Sequence, residues 1–179
     1  MSKRDFSFAD HALEFDQHIW KSIPAIDQLN ILAVELSDRF VQDGAMVVDI
    51  GCSTGELLAR VRDHNRDARS SVNYIGIDAV LEYAVHWPAR CAPDLEFHCC
   101  DARAFDYERV SLAFSLFTLQ FVPEVDKLPL LKRVHGGLVA GGALIIAEKT
   151  YASTGRLEDV LSAKYRAAKR VNFTDTQPG

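Results

Sequence analysis

The sequence predicts an α/β protein: a mostly parallel sheet of about five strands with helices on both faces. Three observations predict it. From Gly44 onward, apolar runs of five or six residues alternate with helix-length stretches, the pattern of βαβ units. The first run, Ala45–Ile50, empties into a glycine-containing loop, Gly51-Cys52-Ser53-Thr54-Gly55. Three acidic residues, Asp49, Asp78 and Asp101, stand at the ends of the first three runs.

The elements follow in order. Residues 9–41 read as helix with one break. The first piece is Asp10 to Trp20. Ser22 and Pro24 open the second, because the missing N–H of proline has no partner in a first helical turn anyway. Ile23, Ile26, Leu29, Leu32, Ala33, Leu36 and Phe40 fall at helical spacing, with Asp27, Gln28, Glu35 and Asp38 on the other side. Asp43-Gly44 stops this helix. Next come the strand Ala45–Ile50, a helix from Gly55 to Val61 or as far as His64, and the strand Val72–Ile77. A helix from Ala79 to about Trp87 is closed by Pro88. The strands Leu95–Cys100 and Ser111–Leu116 precede a helix over Glu124–His135, with a kink expected at Pro129 and an end at Gly136-Gly137. A last strand, Ala143–Glu148, and a last helix, Leu157–Arg170, complete the core. The tail beyond Asn172 reads as loose. Crossovers between the parallel strands are expected to be right-handed.

The length, 179 residues, predicts one domain: a helical cap (1–43), a ligand-binding core (44–150), and a C-terminal helix with its tail (151–179). A chain with 48% hydrophobic and 25% charged residues is neither disordered nor low-complexity. A net charge of -5 lacks the broad positive field of a non-specific nucleic-acid binder. A local basic stretch remains in the last helix: Arg156, Lys164, Arg166, Lys169 and Arg170. Cys52, Cys91, Cys99 and Cys100 form no C-x-x-C pair, so they predict reduced thiols and a cytoplasmic protein. The start, Met1 to Phe6, has no apolar h-region, so no signal peptide is expected. The longest mostly apolar run, Val110 to Val122, is too short to span a membrane. His98-Cys99-Cys100-Asp101 invites a metal reading, but strand neighbours point to opposite faces. Only His98 and Cys100 could share an ion, and no metal is expected.

A parallel sheet binds ligands beyond the carboxyl ends of its strands, where the strand order reverses. The loop at 51–55 reads G-x-S-x-G, so the dinucleotide pattern G-x-G-x-x-G is missing, and no G-x-x-x-x-G-K-[ST] loop is present. Asp49, just before Gly51, suits a cationic ligand or an amino group rather than a phosphate. Asp78 follows Gly55 by 23 residues, at the end of the second strand, where an acid can take both ribose hydroxyls. Asp101 stands where a carboxylate could meet an adenine amino group. Three acids at three strand ends fit a positively charged nucleoside such as S-adenosyl-L-methionine (SAM). NAD is disfavoured by the loop.

These stretches resemble the class I SAM-dependent methyltransferases, whose Rossmann-like fold is then expected over about residues 10–172. Val47 to Gly55 resembles their first motif, Asp78 their second, Cys100-Asp101-Ala102 their third, Leu116 to Val122 their fourth-strand segment, and Gly141 to Glu148 their fifth strand after a G-G turn. The resemblance implies SAM contacts at Asp49, Gly51, Cys52, Ser53, Gly55, Asp78, Ala79, Asp101, Ala102, Leu116 and Phe117, with S-adenosyl-L-homocysteine (SAH) as product. It also implies that the final strand pair of the usual seven-stranded sheet is truncated here, leaving the fifth strand to be covered by the last helix or by a second subunit in a homodimer.

Within that superfamily the chain is similar to the carboxy-SAM synthases of bacterial tRNA wobble-uridine modification, the CmoA type. Phe15-Asp16 with Ser22-Ile23-Pro24, Gly51-Cys52-Ser53, Phe117-Thr118-Leu119-Gln120-Phe121, and Gly142 to Lys149 followed by Lys169-Arg170-Val171-Asn172 carry the likeness. Ile26 stands where that family has a tyrosine, and Leu116 where it has an asparagine. The family's carboxylate-holding arginine downstream of the last helix has no counterpart before Gly179. A carboxylate buried against Leu116 and Ile26 would be costly. The carboxy-SAM synthase reaction is therefore expected to be lost.

The sulfonium already activates the methyl group, so no catalytic base is obligatory and none is assigned. His18, Trp20 and Ile26 are candidates for a lid or substrate wall, with ordinary cap-helix packing as the competing account of Trp20. Glu148, with Lys149, is a substrate candidate whose plainer reading is a surface pair. His135 fits a helix C-terminus. A small-molecule acceptor is favoured over RNA bound through the basic last helix. Two alternatives stay open: a SAM- or SAH-binding protein that acts through a partner without catalysis, and a carboxy-SAM enzyme of the tRNA-modification type.

Overall fold

The computed structural model describes residues 15–172; the part of the first expected helix before Phe15 and the tail after Asn172 lie outside them. Five strands form one parallel sheet: β1 (Met46–Ile50), β2 (Asn73–Asp78), β3 (Leu95–Cys99), β4 (Val110–Leu116) and β5 (Leu138–Ala147). Their spatial order is β3-β2-β1-β4-β5. Every pairing is parallel, with Val48 opposite Ile75 on one side and Ala113 on the other. The central strands β1 and β4 are buried on both faces, which explains their unbroken apolar runs.

Alternate residues of those strands feed two cores. On one face Val47, Leu112 and Phe114 pack with Ala33 of α2 (Ile26–Phe40) and with Leu58 and Val61 of α3 (Glu56–Asn65). There Asn65 donates to Ser37 Oγ at 2.7 Å and Ser37 donates to the Val34 carbonyl at 2.6 Å, so the buried polar groups joining α2 to α3 are satisfied. On the other face Val48, Ile50, Ile77 and Ala113 pack with Leu130 and Val134 of α4 (Glu124–Gly137). α1 (Phe15–Ser22) and α5 (Gly155–Asn172) touch each other. Among the described residues no helix is long and apolar enough to cross a membrane.

Three local expectations need correction. Pro24 does not open α2. It lies in the turn before it, and Ala25 in a left-handed conformation (φ 63°) redirects the chain into Ile26. The stretch after β2 is not an α-helix but two 3₁₀ turns, Leu81–Val85 and Trp87–Ala89. Asp78 draws the Val80 N–H out of helical register, and Val80 is extended (φ -92°, ψ 101°). Pro88 removes a donor at the other end, leaving room only for i→i+3 bonds such as His86 to Tyr83. Pro129 lies inside α4, as the sequence expects; it and Val125, whose carbonyl it leaves without a helical donor, are both exposed to water. Gly141-Gly142 is not a turn ahead of β5 but an irregularity within it. The register jumps from Val110 opposite Leu138 to Leu112 opposite Ala143. Gly141 takes φ 77°, and a Cβ on Gly142 would crowd the carbonyls of Val110 and Val139.

Truncating Leu112, fully buried at the centre of the sheet, to alanine is expected to cost about 2–5 kcal/mol. The half-exposed Leu32 should lose less than about 0.5 kcal/mol on the same change. Urea unfolding midpoints at unchanged slope would measure both.

Candidate active site

β1 and β4 lie side by side, yet the chain leaves them toward opposite faces, to α3 and to α4. That divergence opens a crevice at their carboxyl ends, and a cavity of about 840 Å³ lies there. It sits toward the upper end of the roughly 300–1,000 Å³ typical of ligand pockets.

Its floor is the loop after β1. Gly51 (φ 78°) and Ser53 (φ 45°) both turn left-handed. The N–H groups of Gly51 and Cys52 both donate to the Ile77 carbonyl, at 2.8 and 3.0 Å. Asp78 ties this loop to the next one: Oδ2 accepts the Ser53 N–H at 2.9 Å and Oδ1 accepts the Val80 N–H at 2.8 Å. Asp49, only 4% exposed, lies nearby. Burial, reinforced by the charge of Asp78, pushes its carboxyl up to about 7. Burial also raises Asp78, against the pull of the Val80, Ser53 and Ala79 amides. The Cys52 thiol is pushed well up by burial and then by the same two carboxylates, which makes it inert rather than nucleophilic.

Of the residues singled out in the sequence, Asp49, Gly51, Cys52, Ser53, Asp78, Ala79, Asp101, Ala102, Leu116 and Phe117 all line this cavity, as do His18, Trp20 and Ile26. Two do not reach it. Gly55 (φ 81°) begins α3 behind the loop, and a Cβ there would strike the Phe97 ring. Glu148 turns its carboxylate to the Leu119 N–H and forms no surface pair with Lys149, whose Nζ stands 5.3 Å from the Tyr165 ring centre. Asp101 reaches the cavity with its charge already matched. Its carboxylate accepts the Arg103 N–H and guanidinium, which hold it below the usual carboxylate range. Arg103 is bound in turn to Asp126.

Other contacts were invisible in the sequence. Thr54 donates to Asp16 Oδ1 at 2.8 Å, fastening α1 to the loop. Arg90 stands 3.6 Å from the other Asp16 oxygen and 3.0 Å from Glu56. The Phe15 ring meets Tyr83 edge-on at 4.8 Å. The Trp87 indole donates to the Ser53 carbonyl at 2.8 Å and stacks on Phe97. Phe15 and Asp16 stand out in the sequence only through the resemblance; no local pattern marks partners 38 residues apart. Lys169, from the far end of the chain, also lines the cavity.

Comparison with known proteins fits this geometry. A methyltransferase-domain family matches residues 47–142, the span from β1 into β5. The carboxy-S-adenosyl-L-methionine synthase of Histophilus somni (strain 2336) is 30% identical, over 94% of this chain and 71% of its own length. That of Glaesserella parasuis serovar 5 is 32% identical over the same shares. A SAM-dependent methyltransferase structure from Methanococcus maripaludis superimposes with a TM-score of 0.61 at 18% identity, covering 97% of this chain and 81% of that one; at that identity the likeness speaks for the fold. The chain belongs to the class I SAM-dependent methyltransferase enzymes and, within them, to the family of the carboxy-SAM synthases.

The raised Asp49 carboxyl gives a signed expectation for the ligand-free protein. A carboxyl raised in the folded state lends relative stability at low pH and withdraws it as pH climbs through its folded value. Asp49→Asn should therefore gain up to about 4 kcal/mol over wild type at pH 8. The gain should shrink as pH falls through 7 and vanish below about 4. Urea titrations across that range would check it.

Proposed function

We propose that this chain transfers the methyl group of SAM to a small-molecule acceptor, with SAH as product, and that it does not make carboxy-SAM. The observation that carries the reading is the pair of buried acids, Asp49 and Asp78, in the wall of one large cavity at the sheet's switch point. Among the described residues no cation offsets Asp49, whose shift has only raising causes. A buried carboxylate in that condition suits a cationic ligand, so the donor set fits the ammonium and sulfonium of SAM.

The residues then divide the work. Asp78 keeps lone pairs beyond its two backbone bonds and would accept from the ribose hydroxyls. Asp49 would offset the ligand's positive charge. Gly51 to Ser53 bring main chain close to the ligand. Bound SAM supplies a methyl group on a sulfonium, which an acceptor lone pair takes as the carbon–sulfur bond breaks. What the protein adds is alignment and exclusion of water, and alignment alone can lower such a barrier by roughly 7–11 kcal/mol. α1, fastened to the loop by the Thr54–Asp16 bond and lining the same cavity, would limit the access of water.

Ile19, Trp20, Ile23, Ile26, Phe117 and Phe121 line the cavity, together with polar residues that include His18, Gln120 and Lys169. A lining this rich in large apolar side chains favours a small, largely apolar acceptor over an RNA chain. Ile26 and Leu116, where the resemblance implies a tyrosine and an asparagine, both stand in that lining. Neither can hydrogen-bond the extra carboxylate of carboxy-SAM, which supports loss of that reaction. Incubation with SAM and prephenate should give no carboxy-SAM by mass spectrometry, and its appearance would refute that part of the proposal.

SAH, which keeps the ammonium, should bind with release of a proton below pH 7, because ligand binding favours ionised Asp49. Its affinity should rise up to about tenfold per pH unit below 7 and level off above. Asp49→Asn should flatten that profile and weaken binding by about 10- to 100-fold. Calorimetry in buffers of different ionisation enthalpy reads both effects; SAH binding with no proton exchange would remove Asp49 from the site.

A further inference from the structure

We propose that Glu148, which does not itself line the cavity, is a positioning residue for methyl transfer: its carboxylate pins the segment after β4 against the loop after β1. The proposal rests on reading the cavity as the cofactor and acceptor site.

The segment needs a restraint. β4 ends at Leu116, and the Phe117 N–H still follows the ladder, donating to the Ala147 carbonyl at 2.7 Å. Phe117 then turns left-handed (φ 59°), a conformation an aromatic residue avoids and keeps only where its surroundings hold it. The following residues tighten into a 3₁₀ turn, Leu119–Phe121, whose first N–H groups have no partner within the turn. Glu148, one residue past the end of β5, supplies that partner. Its Oε1 accepts the Leu119 N–H at 2.6 Å, and the Thr118 and Gln120 amides act on the same carboxylate. The Gln120 side chain closes the turn from the other side by donating to the Phe117 carbonyl at 3.0 Å.

What the turn holds makes the contact functional. Phe117, Thr118, Gln120 and Phe121 all line the cavity. The Thr118 side chain fills the space that a Cβ on Gly51 would need. The two walls therefore interlock at one point, and only glycine at 51 permits it. Glu148 stands behind that lock. Its second oxygen is buried with no hydrogen-bond partner among the described residues, so the side chain is committed to the turn and not to solvent. A carboxylate receiving backbone N–H groups is a strong, directional restraint, placed where the cavity wall is backed by β5.

The test uses the full chain with SAH as probe, read by calorimetry and by amide hydrogen exchange. Glu148→Ala should weaken SAH binding by about 10-fold or more. It should speed exchange of the Leu119 amide while Ile145, in the middle of β5, stays protected. Glu148→Gln keeps a carbonyl oxygen for Leu119 and should stay within about 3-fold of wild type. If the alanine variant fails to fold, Glu148→Asp, charged but one methylene shorter, should show the weakened pattern in its place. Unchanged SAH affinity in the alanine or aspartate variant overturns the proposal. So does loss of protection spread evenly over β4 and β5, which would mark a merely structural role. If wild type itself binds no SAH, the cofactor reading fails, and the Leu119 exchange still decides whether Glu148 holds the turn.

Discussion

Two carboxylates buried side by side at the ends of neighbouring parallel strands set the terms for the rest of this molecule. Asp49 ends up beside the glycine turn because β1 is a central strand, covered on both faces. Asp78 ends up beside it because β2 pairs with β1 in register, Ile50 opposite Ile77. Removing such groups from water is unfavourable unless something answers their charge. Backbone amides answer part of it at Asp78. Asp49 is left to rise toward neutrality. On the reading proposed above, a cationic ligand would recover the energy that burial withholds from the ionised Asp49 carboxylate.

Around that pair the cavity is assembled from distant parts of the chain. α1 is fastened to the loop after β1 by the hydrogen bond from Thr54 to Asp16 and by Arg90. The 3₁₀ turns after β2 set Tyr83 and Trp87 beneath it, with Cys52 in the same cluster. The turn after β4 leans on Gly51 through Thr118 and is backed by the acid that follows β5. Each wall is thus held by a contact across the sheet, and the strand order alone brings those walls together.

The readable parts of the sequence were those in which one physical demand acts over a few residues. Val47 to Ile50 must be apolar because both faces are covered; Gly51 must lack a Cβ because Thr118 occupies its place. Those demands leave a local signature, and the order of loop and acids carried it. The segment after β2 shows the opposite case. Ala79 to Trp87 has helical composition, but the side chain of Asp78 takes a backbone donor and Pro88 removes another. Gly141-Gly142 has turn composition, yet the β4–β5 register places it inside a strand. Propensity is a weak prior wherever a neighbouring element claims the hydrogen bonds.

By itself the sequence determined the class of fold, the location of the glycine loop after β1 and the acids around it, since apolar period and glycine placement follow from burial and backbone sterics that act locally. The tertiary structure alone decided that Asp49 stays uncompensated. Asp101 is matched by Arg103, two residues away, whereas among the described residues the charge that acts on Asp49 is another carboxylate, Asp78. It alone also gave Asp16 and Glu148 their partners, 38 and 29 residues distant. A side chain's charge and hydrogen bonds are settled by what the packed strands bring within a few ångströms, and no short stretch of sequence encodes that neighbourhood.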